Sequence, residues 1–315
     1  MAFSATADSS LTGVKLVVET TPGVTPASPA MKEMEVTSIT LNNSRETGVS
    51  QSFRADRQVP GVTTTEINTA GDIGFELKVS DVMDDILAGT VQGEWVDDVL
   101  VNGVTRKSFT IEQVLGGIGG DNHQRFIGSE ISALSLEISS GNFITGTASF
   151  ISRDYAIGTT TVATTVIPAS TNRFLNATDE GVTMKIGGVE VGLIQQMSIN
   201  IENSLRPQRA IGSGGKLVGM GNGRFSCTGQ MTVYFNGLSN PIWNAYKAKQ
   251  AIEMELAFPD PEGNAYGLKL FKVEMMNAAL NAGGLDQDVV LVVDYQAILG
   301  GEDSKTIEWT RTIAP

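Results

Sequence analysis

Apolar and polar residues alternating at every second position restrict this chain more than any other feature. Ile73-Gly74-Phe75-Glu76-Leu77-Lys78-Val79 and Leu134-Ser135-Leu136-Glu137-Ile138 both keep the pattern. Successive side chains of a strand point to opposite faces. Such segments therefore make antiparallel strands with one dry face and one wet face. Val36–Leu41 and Phe143–Ile151 read the same way. The 35 glycines, among many Thr, Ser and Asn, favour strands and turns over helices. The fold class expected is mainly β.

Two short helices interrupt the pattern. Ser80–Gly89 has a Ser or Asp cap, apolar residues at 82, 83, 86 and 87, and a closing glycine. Ser239–Lys249 offers Asn240 as cap, Pro241 for the first turn and lysines at its C-terminal end. Residues 1–36 are expected to form an extended arm, because Thr20–Pro29 carries prolines at 22, 26 and 29. Residues 158–180, rich in Thr, Ala and Gly, are a linker or an edge strand. They divide residues 37–157 from residues 181–315.

The two halves share an order. Ser38–Arg45 resembles Ser198–Arg206, and each copy enters a long loop bearing Gly and Arg. Alternating strands follow (Gly71–Val79, Gly223–Val233), then a helix, then strands ending in Ile144–Ile151 and Val289–Ile298. This order predicts two tandem domains.

Composition excludes several classes. One Cys and one His leave no intramolecular disulfide, no multi-Cys zinc site and no spare histidine for acid–base schemes. Apolar runs such as Val289–Val293 are too short to span a bilayer as a helix. The start Met1-Ala2-Phe3-Ser4 does not read as a signal peptide. A formal net charge of −13 argues against gripping nucleic acid through a broad basic surface. Residues 1–157 carry −10 of it and residues 158–315 only −3.

Apparent motifs have simpler readings. Gly116–Asp121 resembles a single calcium-binding nonapeptide, but such units work in stacked arrays. Gly212–Leu217 fails as a phosphate loop, with Ala210 at the first glycine position and Leu217 where Ser or Thr would bind magnesium. His123 reads as a loop residue and Cys227 as a buried structural thiol. Asp81, Asp84 and Asp85 suit a helix N-terminus. No catalytic residue, metal site or cofactor is expected.

The long loops are more informative. Leu205–Arg224 holds Arg206, Arg209, Lys216 and Arg224 without an acid, and the first loop holds Arg45, Arg54 and Arg57. Basic loops in an acidic chain suit contacts with acidic surfaces of neighbouring copies. Loops this long in a compact domain are functional or disordered.

The chain resembles the tail tube (major tail) proteins of long, non-contractile-tailed bacteriophages. The resemblance is carried by Glu19–Ala27, Arg54–Val59, Gly71–Leu77, Arg106–Glu112, Asn203–Arg206, Gly223–Phe225 and Gly284–Val289. It implies a tail-tube-like β-sandwich or barrel fold, with inner strands closing a β-barrel across subunits; the repeat departs from the family plan and makes two such domains in tandem. Rings of the chain itself would stack into a hollow tube for DNA, with loops and arms bridging rings. Two domains per chain imply trimeric rings with pseudo-sixfold symmetry; without the repeat, hexameric rings follow. The other implied partners are the tail tip, tail terminator and tape-measure proteins. Double-stranded DNA would pass without specific binding, and no membrane is involved. The protein would be made in the host bacterial cytoplasm and reside in the virion.

An acidic lumen would let DNA slide, because cationic contacts hold phosphates through counterion release. Glu76, Ser135, Glu137, Asn200 and Glu202 are the lumen-facing candidates. The alternative is a carbohydrate-binding or adhesive β-sandwich, which needs a platform of exposed aromatics from a chain with 6% aromatic residues. A β-rich hydrolase has no nucleophile–base motif to stand on.

Overall fold

A computed structural model describes residues 6–120, 122–179, 182–191, 193–237, 240–300 and 305–314. Met1–Ser4, Asp121 and Ser239, named above, lie outside them. Strand accounts for 55% of the chain and helix for 6%, so the fold is mainly β. The first half contains β1 (Asp8–Val18), β2 (Ala30–Met34), β3 (Ser38–Ile39), β4 (Asn42–Val49) and β5 (Val62–Glu76). There follow α1 (Asp81–Val91), β6 (Trp95–Val96), β7 (Val99–Val101), β8 (Phe109–Gly116), β9 (His123–Ser139), β10 (Thr145–Ser152) and β11 (Asp154–Gly158).

The second half begins with β12 (Thr165–Ile167), β13 (Thr183–Ile186), β14 (Val189–Glu190) and β15 (Ile194–Glu202). It continues with β16 (Arg206–Gln208), β17 (Gly219–Gly221), β18 (Ser226–Tyr234), α2 (Pro241–Ala248) and β19 (Ile252–Pro259). It ends in β20 (Ala265–Asn281), β21 (Val290–Ala297) and β22 (Ile307–Thr312).

An antiparallel sheet runs β4-β5-β10-β9-β15-β18-β21-β20. Its alternation puts one side chain in two into the core: Phe75, Leu134, Leu136, Ile199, Ile201, Met231, Val293 and Tyr295 are all buried. Burying a side chain of this size contributes about 1.5–3 kcal/mol. The covering strands pair through two long strands that belong to both layers. The first part of β9 lies between β8 and β11, with β1 and β2 beyond β8. The first part of β20 lies between β19 and β22. Register shifts near Ser149/Phe150 and Met275/Asn277 mark where each long strand turns between layers. No barrel closes within one chain; the architecture is of β-sandwiches.

Both helices start where the sequence places them. Ser80 Oγ accepts from Met83 N at 3.3 Å, and Asn240 Oδ1 accepts from Ile242 N at 2.9 Å. The first helix does not stop at Gly89. It continues to Val91 and ends on Gln92 in the left-handed region. Gly89 is small for another reason: a Cβ there would lie 2.9 Å from the Phe109 ring.

The expected arm also differs. Thr20–Pro29 is the connection of a hairpin, and β1 and β2 on either side of it are paired strands. Val14, Leu16 and Met31 are buried. Glu19 fixes the corner: it accepts from Gly23 N (2.7 Å), Ser108 Oγ (2.9 Å), Thr110 Oγ1 (2.7 Å) and Gly128 N (2.8 Å). Within residues 158–180, β12 is a short edge strand parallel to β2.

Glu19→Ala strands these donors in a buried corner. Since a buried unsatisfied group costs about 1–3 kcal/mol, urea unfolding is expected to show a loss of at least about 3 kcal/mol.

Candidate assembly surfaces

The wet face of the sheet is built row by row. One row of directly opposed residues runs Glu76–Thr145–Glu137–Ser198–Gln230–Asp294–Asn277. The next runs Ser38–Gly74–Thr147–Ser135–Asn200–Thr228–Gln296–Glu274. A third runs Asp72–Ser149–Ala133–Glu202–Ser226. All five lumen-facing candidates, Glu76, Ser135, Glu137, Asn200 and Glu202, thus share one face. The three rows contain Asp72, Glu76, Glu137, Glu202, Glu274 and Asp294 but no Lys or Arg. Burial raises the Glu137 carboxyl above its ordinary value. Asp72 accepts from Ser149 Oγ at 2.6 Å, and Asp294 accepts from Gln230 Nε2 at 2.7 Å.

The basic candidates sit on two projecting hairpins. The first expected loop is the outer part of the β4–β5 hairpin, where residues 50–61 are exposed throughout. The second carries its own small sheet, β16–β17. Arg54 pairs locally with Asp56 at 2.6 Å. Arg209 and Lys216 reach across to the first half, to Glu66 at 3.2 Å and Asp154 at 2.6 Å. Those two cations are engaged within the chain. Arg206 donates to the Asn222 carbonyl at 3.0 Å. Arg45, Arg57, Arg206 and Arg224 have no acidic partner among the described residues. Sequence reasoning missed the apolar tips: Phe53, Ile211 and Leu285 are fully or almost fully exposed. The only signal was a lone apolar residue in each polar turn.

The discounted motifs fold into structural roles. Gly116 closes on Leu11, where a Cβ would lie 2.2 Å from the Leu11 carbonyl oxygen. His123 is not the loop residue expected: it opens β9 and lies largely buried, 3.3 Å from the fully buried Glu112. Burial alone would raise the Glu112 carboxyl. Hydrogen bonds from Thr161 Oγ1, Val162 N and Arg125, with the nearby His123, bring it below its ordinary value. Asp84 joins Tyr266 (2.7 Å) and Arg311 (2.5 Å), clasping α1 to β20 and β22. Its carboxyl is raised, mainly by burial. Cys227 is buried in β18 and its thiol is pushed up to about 12. Among the described residues no group of three or more His, Cys, Asp or Glu could hold a metal ion, and no helix is long and apolar enough to cross a membrane.

The chain is thus a β-sandwich with a polar sheet face, open sheet edges and two exposed basic hairpins. Comparison with protein families then makes the assignment: the phage tail tube protein family matches residues 9–297, and the chain belongs to it. It is a structural component of a bacteriophage tail, associating there with other subunits. No curated protein matches the chain.

Two outcomes are expected. Glu112 stabilises the fold above its ordinary pKa of 4.5, and this contribution is lost as pH falls through its lower folded value. In Glu112→Gln, stability measured by urea unfolding is lower at pH 7 and falls less steeply below pH 4.5 than in the parent. Cys227 stays unmodified by a thiol reagent at pH 8 in the folded chain and reacts fully in denaturant.

Proposed function

We propose that this chain is the tube subunit of a long, non-contractile phage tail. It self-assembles into stacked rings that form the hollow conduit for DNA ejection. The observation that carries this reading is the wet sheet face, whose rows hold acids and no cations. A conduit for DNA must present charge that repels phosphate, since every cation that neutralises a phosphate holds the duplex. Glu76, Ser135, Glu137, Asn200 and Glu202 line the bore.

Each half of the chain supplies a four-stranded unit, β4-β5-β10-β9 and β15-β18-β21-β20, so the two halves act as tandem tube domains. Three copies then make a ring with pseudo-sixfold symmetry. About 24 strands spaced about 4.8 Å apart give a bore roughly 37 Å wide between backbones before tilt, which admits a DNA duplex. The hairpins bearing Arg45, Arg54, Arg57, Arg206 and Arg224, with Phe53 and Ile211 at their tips, contact neighbouring copies. Arg209 and Lys216 hold the second hairpin in place. The tail tip, terminator and tape-measure proteins are the further partners, and the virion is the site of action.

Negative-stain microscopy of concentrated protein, with rotational averaging, tests this. Hollow tubes of three-fold rings with six similar lobes are expected; six full-size lobes would replace the trimer by a hexamer. Glycan binding by a chain that never forms rings would overturn the reading in favour of an adhesive sandwich. Phe53→Ser with Ile211→Ser is expected to leave monomer stability within about 0.5 kcal/mol while reducing tube length in the same images.

A further inference from the structure

The two halves of the chain meet at a seam within one sheet. Within the chain, β9 pairs with β15, Ser135 opposing Asn200 and Glu137 opposing Ser198. Leu134, Leu136 and Ile138 there meet Ile201, Ile199 and Met197, all buried. Asn203 seals this seam. It is buried, and its Nδ2 donates to the Thr90 carbonyl of α1 at 2.9 Å and the Ile131 carbonyl of β9 at 3.0 Å.

The corresponding edges at the two ends of the sheet are open. Among the described residues, β3 and β4 pair only with β5, and Met275–Asn281 of β20 pair only with β21. Open antiparallel edges carry unsatisfied backbone groups and invite pairing. Here the edge is also apolar: Met276 and Leu280 are exposed, and Met275 and Ala278 are only partly buried.

Paired rows give the correspondence between the halves. Ser38–Gly74–Thr147–Ser135 in the first half matches Ser198–Gln230–Asp294–Asn277 in the second. Asn277 therefore stands where Ser135 stands. The likeness of Ser38–Asn43 to Ser198–Asn203 puts Thr40 where Asn200 stands, and Asn43 where Asn203 stands.

We infer that β20 of one copy pairs antiparallel with β3 and the start of β4 of a second copy, Asn277 opposite Thr40 and Ala279 opposite Ser38. Ala278 and Met275 then meet Ile39 and Leu41 on the dry face. Asn43 turns from Thr69 Oγ1, which it contacts at 2.7 Å in the single chain, to the neighbour's carbonyls at Lys247 and Val273. Those positions match Thr90 and Ile131: each of Thr90 and Lys247 lies two residues before its helix's left-handed cap. Ile131 and Val273 oppose the matching Phe150 and Ala297. Joining one end of a sheet to the other end of an identical sheet is a heterologous contact, which closes into a ring when the rotation permits. The inference rests on the ring reading above and adds its residue register.

The test is disulfide trapping in the full chain under mild oxidation, with ring formation followed by microscopy of the same sample. Cys227 is buried and does not interfere. Thr40→Cys with Asn277→Cys is expected to yield covalent oligomers up to the closed ring on non-reducing gels. Thr40→Cys with Leu280→Cys, out of register and on opposite faces, is expected to stay monomeric, since Cα atoms more than about 7 Å apart cannot be bridged. Rings that trap only through the second pair, or through neither, overturn the register and leave the ring reading standing. Absence of both rings and trapping in every variant overturns the ring reading and the inference with it. Asn43→Ala is expected to raise the protein concentration needed for rings about tenfold, at a temperature well below the thermal midpoint that the single chain keeps after losing the Thr69 bond. An unchanged concentration overturns the role given to Asn43.

Discussion

The antiparallel ladder between β9 and β15 holds the two halves of this chain in one sheet, and the rest of the architecture depends on it. Without it, Leu134, Leu136 and Ile138 would line an open edge, as their counterparts on β20 do. With it, the buried rows run unbroken from β5 to β20, and the wet rows run unbroken on the opposite face. Asn203 ties the ladder to α1. The Asp84–Tyr266–Arg311 clasp holds the same helix to the far end of the second half. A charged cluster of this kind contributes less through attraction than through the cost of leaving any member unpaired.

Much of the sheet was legible because alternation is a direct print of burial. Strands with one dry face announced themselves, and so did helices with a capping Ser or Asn. The outer β4–β5 hairpin did not. Its residues are wet on both faces, so there is no periodicity to read, and a long loop was the natural expectation. β1 was hidden behind the prolines that follow it, although Val14 and Leu16 alternate with Lys15. Glu19 could not be recognised as a structural residue, because the Ser108, Thr110 and Gly128 groups it accepts from lie far along the chain. Gly89 looked like a stop signal when its real constraint was the Phe109 ring.

The candidate surfaces divide the same way. That Glu76, Ser135, Glu137, Asn200 and Glu202 point away from the core follows from strand parity alone. That they stand in shared rows across both halves follows from the register of β9 on β15, which no local pattern encodes. The basic loops were visible as composition, but Glu66 and Asp154, the acids that engage Arg209 and Lys216, are distant in sequence. Family membership rests on the match over residues 9–297.

Because β9 and β15 lie on one polypeptide, their seam forms at any dilution. The connection between them fixes a high effective concentration of one edge for the other, and the loss of translational freedom that separate partners would suffer is absent. In the proposed ring, only the edges at β4 and β20 depend on encounter. A chain built this way halves the number of seams that must form between separate copies of that ring, and the outer seam keeps the reversibility that assembly needs.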